Sequence, residues 1–420
     1  MNLMWLAGGI FFITYTLIVT ERVHRTVSGL LGGVAMILFG VVSQEEAFLA
    51  IDWNVIFLLV GMMVIASVMA ETGLFQWIAL QAVKLGRGSP FRVLVILSAV
   101  IALTSALLDN VTIVVLAAPV ALFVATSLRV SPLPFLISGV LASNIGGTAT
   151  LVGDPPNILI GSAADIDFLT FTANLAPISI LILSAFLVLS WFLFQNDLRP
   201  ARGPVLNIAA LDTGTMITDK PLLLKALAVM GGVIAGFLTH RAFHLEPATI
   251  ALAGAAILLL WARHDPHVAF QDVEWTTLFF FIGLFITVEA IVKVGIIRAV
   301  AEAALALTGG SLPLTSMLLL WLSAIVSGIV DNIPYTATMI PVVENLGRSM
   351  PIMPLWWSLA LGACLGGNLT LVGAAANVVV ANLAAKSGHP ISFKRFLGYG
   401  AATTLLSLLL STVYVWLRYL

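Results

Sequence analysis

Long apolar runs are the feature that most restricts the fold of this chain. Runs of about 17–25 residues recur along its 420 residues, and each is long enough to cross a bilayer as a helix. Only 9% of the residues are charged, against about a quarter in soluble domains. Because lipid offers no hydrogen bonds to a backbone, such runs fold as helices. The sequence therefore predicts an all-α integral membrane protein, and its net charge of −1 argues against a nucleic-acid partner.

We predict about ten transmembrane helices, near 3–20, 26–43, 54–70, 134–164, 173–195, 221–240, 246–262, 275–291, 352–386 and 396–418. The spans at 134–164 and 352–386 are interrupted by Gly and polar residues, so we expect discontinuous helices there. The stretches 90–128 and 312–347 are broken by Asp-Asn and are predicted to be re-entrant hairpins, which enter and leave the membrane on one side. With both termini extracytoplasmic, 14 of the 19 Lys and Arg residues fall on the cytoplasmic side, as the positive-inside rule requires. We therefore predict a multi-pass protein of the inner (plasma) membrane.

The chain repeats itself at an offset of about 220 residues. Asp109-Asn110 corresponds to Asp331-Asn332, and GGTATLVGDPPN at 146–157 corresponds to GGNLTLVGAAAN at 366–377. Each half holds five predicted crossings, an odd number, so the second half must lie upside down relative to the first. Inverted-topology repeats with broken helices are typical of secondary transporters, whose substrate sites lie near the midplane. We predict a first repeat at 1–195, a cytoplasmic linker at 196–220 and a second repeat at 221–420.

The two hairpins carry acids at membrane depth. An Asp within an apolar stretch costs about 2.5–3.5 kcal/mol on insertion scales, so it is expected to face a polar cavity or a partner. Asp109 and Asp331 stand at the tips, where the ends of half-helices leave backbone groups unpaired. Asn110, Thr112 and Asn332 supply neutral donors and acceptors beside them. The alternative is that each Asp only caps a helix end at a tight turn.

The discontinuous segments supply a second set of polar groups. In the first, Gly-Gly breaks the helix, Asp154 adds an acid and the following Pro-Pro cannot continue a helix. The second has Ala374 in place of Asp154, so the acid is present in the first half only. Unwound stretches are tolerated only where they line protein or water, although a kink for packing is the alternative. The neutral residues expected to bind substrate here are Asn144, Thr148, Thr150, Asn157, Asn368, Thr370 and Asn377.

Four strings carry a resemblance to a known group: SALLDNVTIVVLAAP, SNIGGTATLVGDPPNILIGSAA, DNIPYTATMIP and GGNLTLVGAAANVV. They resemble the ArsB/NhaD superfamily of ion transporters, and most closely its arsenical pump membrane proteins, over nearly the whole chain. The resemblance implies an elevator-type fold, in which the hairpins and discontinuous helices move against a scaffold of the remaining helices. The polar loop residues of the family would map onto Asp109, Asn110, Asn144, Thr148, Asp154, Asn157, Asp331, Asn332, Asn368 and Asn377.

The residues and the resemblance together predict export of arsenite or antimonite in exchange for protons. Asp109, Asp154 and Asp331 would carry the protons, because an acid beside a low-dielectric cavity can exchange a proton at neutral pH. Carboxylates at the tips would repel a dicarboxylate, which argues against citrate or succinate. Sodium/proton antiport and an uncoupled anion channel are the alternatives. No cofactor or enzymatic site is indicated, and any ATP drive would need a separate ATPase subunit, because the sequence lacks GxxxxGK[ST].

Overall fold

A computed structural model of the protein describes residues 3–20, 22–198 and 216–420. All regular secondary structure in these ranges is helical, because a helix satisfies its backbone groups internally. The helices of the first half are α1 (Leu3–Thr20), α2 (Arg25–Leu38), α3 (Gln44–Leu49), α4 (Trp53–Glu71), α5 (Leu74–Leu85), α6 (Pro90–Ser105), α7 (Asn110–Leu128), α8 (Leu133–Gly147), α9 (Pro155–Ala163) and α10 (Phe168–Phe194).

The helices of the second half follow in the same order. They are α11 (Lys220–Phe243), α12 (Pro247–Ala262), α13 (Pro266–Gln271), α14 (Trp275–Lys293), α15 (Ile296–Thr308), α16 (Leu312–Val330), α17 (Asn332–Leu346), α18 (Met353–Gly366), α19 (Ala375–Lys386) and α20 (Phe393–Tyr419). Both α4 and α14, for example, have 19 residues and begin with Trp. The matching order is what the predicted internal repeat requires. The predicted linker at 196–220 falls mostly on 199–215, outside the described residues, so its limits and those of the repeats stay predictions.

Eight of the described helices are long and apolar enough to cross a membrane: α1, α4, α7, α10, α11, α14, α16 and α20. Six of them coincide with predicted spans. The predicted spans at 26–43 and 246–262 instead form the shorter helices α2 and α12, with 14 and 16 residues. The other two long helices, α7 and α16, are arms of the predicted hairpins and have 19 residues each. Length alone would let these arms cross the membrane, so the re-entrant path stays a prediction.

Two helix pairs approach each other through small residues. α14 packs along α2, and α12 packs along α4. A Cβ built on Gly283 would lie 2.3 Å from the carbonyl carbon of Gly29, and one built on Gly61 would lie 2.6 Å from that of Ala251. Glycine at these positions therefore permits a backbone approach that a larger residue would prevent. Gly29–Gly283 and Gly61–Ala251 occupy matched positions in the two halves, so the same packing device is used twice.

The elements that carry the predicted site meet at four short connections. Residues 106–109 join α6 to α7, and Asp331 joins α16 to α17. We call these the first and second tips. Residues 148–154 separate α8 from α9, and residues 367–374 separate α18 from α19. We call these the first and second breaks, and both fall where the sequence predicts a discontinuous helix.

Candidate functional site

Glycine pairs explain why the helices are interrupted. At the first break a Cβ on Gly153 would lie 2.6 Å from the carbonyl oxygen of Gly147, and at the second a Cβ on Gly373 would lie 2.8 Å from that of Gly367. The backbone therefore folds back on itself more closely than a side chain would allow. The second break forms without the Pro-Pro sequence that follows the first break. It has Ala375 and Ala376 at the matched positions. The glycines, present at both breaks, are thus the shared cause of the interruption.

One asparagine in each half holds the broken backbone together. Asn157 donates from Nδ2 to the carbonyl oxygens of Gly147 and Thr150, at 3.1 and 2.9 Å. Asn377 makes the matched contacts, to Gly367 and Thr370 at 2.7 and 2.8 Å. Both asparagines are fully buried. Two carbonyl groups at each break are satisfied in this way by a protein side chain, as irregular backbone in a membrane protein requires.

Hydroxyl groups tie each hairpin to its neighbouring discontinuous helix. Thr150 donates to the carbonyl oxygen of Ala106, and Thr370 donates to that of Gly328 at 2.6 Å. Ser105 and Ser327 make a second matched pair of bonds, to the carbonyl oxygens of Ser143 at 2.8 Å and Ala363 at 3.0 Å respectively. Each hairpin and its neighbouring discontinuous helix therefore form one hydrogen-bonded unit.

Buried amides join the two halves at the centre. Asn144 donates from Nδ2 to the Oδ1 atoms of Asn368 and Asn377, at 2.9 and 3.1 Å. Its own Oδ1 accepts from Nδ2 of Asn110, at 3.2 Å. Cys364, at the position that matches Asn144, contacts Oδ1 of Asn157 through its thiol at 3.1 Å. The two halves of the site therefore make matched contacts to the backbone. They differ at the matched positions of Asn144 and Cys364.

The first tip is held by a complete helix cap. Asp109 precedes α7 and accepts from the backbone N–H of Val111 at 3.3 Å and of Thr112 at 2.9 Å. It also accepts from the hydroxyl of Thr112 at 2.7 Å. These three bonds use both carboxylate oxygens on the first turn of the helix. The side chain of Thr112, which the sequence predicts to bind substrate, is thus engaged with Asp109.

The second tip is held differently because Pro334 stands where the first tip has Thr112. Proline has no backbone N–H and cannot donate to Asp331, which caps α17 by accepting from the backbone N–H of Ile333 at 3.0 Å. Its other carboxylate oxygen lies 3.4 Å from Nη1 of Arg25. The backbone of Asp331 has a φ of +90°, a value that non-glycine residues rarely adopt. An ion pair with α2 therefore replaces part of the cap.

A narrow cleft with both polar and apolar lining residues lies between the tips and the starts of α2 and α14, and we call it the central cleft. Asp109, Asn110, Asp154 and Asn332 line it. Asp154 is 1% exposed, and Asn332 donates to its two carboxylate oxygens at 3.3 and 3.5 Å. The acid of the first break therefore meets the amide of the second tip. This contact joins the two halves at a residue that the second break lacks.

Arg25 and Glu274 also line the central cleft, although sequence reasoning did not select them. Arg25 donates to the hydroxyl of Thr277 at 3.5 Å and lies over the ring of Phe280, 5.9 Å from its centroid. Glu274 accepts from the same hydroxyl at 3.0 Å. Both residues stand at helix starts, Arg25 as the first residue of α2 and Glu274 directly before α14. The sequence also repeats Asp52-Trp53 as Glu274-Trp275, but a repeated pair does not show that Glu274 faces a cleft.

The predicted site residues thus fall into two groups. Asp109, Asn110, Asp154 and Asn332 line the central cleft. The polar side chains of the others bond to neighbouring protein groups: Thr112, Asn144, Thr148, Thr150, Asn157, Asp331, Asn368, Thr370 and Asn377. The second group shapes the backbone around the cleft, and a direct role for its members in binding stays a prediction.

Comparison with known proteins identifies the family. A protein-family profile described as "Citrate transporter" matches residues 15–362, which is most of the chain. The chain belongs to the citrate transporter family. One relative within curated proteins, "Uncharacterized transporter Rv2684" of Mycobacterium tuberculosis, is 45% identical over 418 residues, covering 98% of this chain and 97% of that protein. The P protein of Mus musculus is 34% identical over an alignment of 488 residues, covering 96% of this chain and 58% of the P protein.

Two solved structures have a similar fold to this member of the citrate transporter family. The YdaH transporter of Alcanivorax borkumensis gives a TM-score of 0.56 at 13% identity, covering 100% of this chain and 99% of that chain. MtrF of Neisseria gonorrhoeae gives a TM-score of 0.60 at 12% identity, covering 92% of this chain and 84% of that chain. At such identities the likeness concerns the fold alone. The chain is therefore a multi-pass membrane transporter by family, and none of the proteins named here addresses the arsenical pump assignment.

Proposed function

We propose that the protein is a proton-coupled secondary transporter for a small neutral or cationic solute, with Asp154 as the residue that carries the proton. Arsenite and antimonite are the first solutes to test, exported as protons return. The proposal keeps the predicted inner-membrane location and the extracytoplasmic position of both termini.

The burial of Asp154 carries this proposal. Asp154 is 1% exposed, and its carboxyl group receives hydrogen bonds from the neutral amide of Asn332. An ionised carboxylate without a cationic partner is costly to bury, by several kcal/mol per ion. Binding a proton removes that cost, and losing the proton restores it. Asp154 therefore has a physical reason to alternate between two protonation states as the cleft opens and closes.

The charges of the central cleft support the proposed solute class. Asp109, Asp154 and Glu274 face a single guanidinium group, that of Arg25, among the described residues that line it. A tricarboxylate such as citrate would add negative charge to this lining, which disfavours it despite the description of the family. Arsenous acid is a neutral triol near pH 7 and can donate hydrogen bonds to these oxygens. An uncoupled anion channel is disfavoured for the same reason as citrate.

The hydrogen bonds of the site support an elevator-type movement. Each hairpin is tied to its neighbouring discontinuous helix by two hydroxyl bonds, so the two can move as one unit. The two units are joined to each other by Asn144 and Asp154. The contact of Arg25 with Asp331 reaches this assembly from α2, which packs on α14. We assign α2 and α14 to the scaffold and the Arg25 contact to the boundary between scaffold and moving part.

Sodium/proton antiport is the second candidate, and one observation favours it. The buried Oδ1 of Asn110 has no hydrogen-bond partner among the described residues and stands beside carboxylates in the central cleft. Oxygen atoms of this kind are suitable ligands for a hard cation. In this candidate Na⁺ would take the place of the neutral solute, while Asp154 keeps its proposed role.

Solute-driven proton flux tests the proposal directly. The purified protein is placed in vesicles that contain a pH-sensitive dye, and arsenite, antimonite, Na⁺, K⁺ and citrate are added in turn. We expect arsenite or antimonite to drive proton flux in the wild type, and Asp154→Asn to reduce that flux to the level of protein-free vesicles. Asp197→Asn is the matched control, because Asp197 forms a partly exposed ion pair with Arg395 at 2.9 Å.

Three outcomes decide between the candidates. Flux driven by Na⁺ but not by K⁺ would select the antiport reaction. Flux driven by citrate would overturn the proposed solute class. Flux that persists unchanged in a folded Asp154→Asn protein would remove Asp154 from proton coupling.

A further inference from the structure

The two halves of the site differ in charge at matched positions. Asp154 at the first break corresponds to Ala374 at the second, so one break carries a carboxylate and the other a methyl group. Asn332 at the second tip meets Asp154, at 3.3 and 3.5 Å. Asn110, the matched residue at the first tip, donates to Asn144 instead. The same residue type therefore contacts an acid in one half and an amide in the other.

The orientation of the amides follows from the backbone. The Nδ2 of Asn377 donates to the carbonyl oxygens of Gly367 and Thr370, so its Oδ1 must face Asn144. Asn144 must then present Nδ2 to Asn377 and Oδ1 to Asn110. Asn110 must in turn present Nδ2, because only a donor can meet that oxygen. The atom left over is the Oδ1 of Asn110, an acceptor.

This acceptor is buried, and it belongs to a residue that lines the central cleft. Asn110 is 3% exposed, and its Oδ1 has no hydrogen bond to any described residue. Buried polar atoms are normally satisfied, and one that is not gains free energy when a ligand supplies the missing donor or a positive charge. An anion without donors gains nothing at this atom. The first tip is thus built to receive a donor, whereas Asp154 already accepts from Asn332.

We propose that the central cleft separates its two ligands, with the coupling proton at Asp154 beside Asn332 and the solute donating to Oδ1 of Asn110. The inference rests on the proposed function and adds a stoichiometry of one proton per cycle. Asp109 is engaged as a helix cap. Asp331 accepts from the backbone N–H of Ile333 and forms an ion pair with Arg25. Asp154 is the cleft carboxylate that is both buried and held by the neutral side-chain amide of Asn332. The position where the other half would carry a second such carboxylate is occupied by Ala374.

Three variants separate the two roles in the same vesicle assay, with solute KM and the proton-to-solute ratio both measured. The ratio is obtained from the gradient at which net flux stops. Asn110→Ala is expected to raise the solute KM by about tenfold, equivalent to about 1.4 kcal/mol, and to leave the ratio at one. Asp154→Asn is expected to reduce the ratio to zero while solute binding persists. Ala374→Asp is expected to raise the ratio from one to two, and Asp197→Asn should change neither quantity.

The outcomes distinguish this inference from the proposed function. Coupled transport in the wild type, combined with an Asn110→Ala protein that changes the ratio and keeps its KM, would overturn the separation of ligands alone. A folded Ala374→Asp protein that still moves one proton would overturn the stoichiometry. Absence of solute-driven proton flux in the wild type would overturn both proposals. If Ala374→Asp does not fold, the contrast between Asn110→Ala and Asp154→Asn decides the separation.

Discussion

The two tips begin with the same Asp-Asn pair and hold it in different ways. Asp109 receives three hydrogen bonds from the first turn of α7, two of them from Thr112. Asp331 accepts from the backbone N–H of Ile333 in the first turn of α17, and its other oxygen lies 3.4 Å from Nη1 of Arg25. The third residue along the chain makes the difference, because Pro334 cannot donate where Thr112 does. A matched motif therefore marks a matched position, while its neighbours decide what the acid does.

Removing the acid of the first tip should have the largest effect on stability. Asp109→Ala deletes the complete cap of α7 and is expected to lower the free energy of unfolding by about 1–2 kcal/mol. Asp109→Asn keeps an acceptor at the cap and is expected to lose less than about 0.5 kcal/mol. Thermal unfolding in detergent measures both. Equal losses in the two variants would show that the charge of Asp109, rather than its capping bonds, is what matters.

Removing one bond of that cap should have an intermediate effect. Thr112→Val keeps the backbone N–H and deletes the hydroxyl that bonds to Asp109, so we expect a loss of about 1 kcal/mol. Thr112→Ser keeps the hydroxyl and serves as the control. Unfolding curves for the two proteins, recorded side by side, test the contribution of the hydroxyl. No difference between them would mean that the backbone bonds suffice for the first tip.

Removing the ion pair of the second tip should have the smallest effect on stability. Arg25→Gln is expected to cost less than about 1 kcal/mol, because the contact with Asp331 is long at 3.4 Å and glutamine keeps an amide N–H that can donate to the same oxygen. Arg241→Gln is the control, since Arg241 pairs with Asp167 at 3.2 Å outside the cleft and its side chain is 63% exposed. A loss for Arg25→Gln larger than that for Asp109→Ala would reverse the ranking of the two tips.

Much of the site could be predicted because its signals are local. Glycine pairs and long apolar runs marked the breaks and the helices, and repeated strings marked which residues correspond. Arg25 and Glu274 were not predicted, since each stands at a helix start and reaches the cleft only through packing of α2 on α14. Thr112 was predicted to bind substrate, but its hydroxyl bonds to the acid three residues before it. Side-chain partners of this kind depend on orientation, which residue type does not specify.

The sequence by itself determined the membrane class, the helical architecture and the positions of the tips and breaks. These properties follow from the length of apolar runs and from backbone geometry within a few residues, so they can be read locally. Only the tertiary structure decided which of three equivalent-looking acids is buried against a neutral amide. That choice depends on Asn332 meeting Asp154 across 178 positions of the chain and on Arg25 meeting Asp331 across 306.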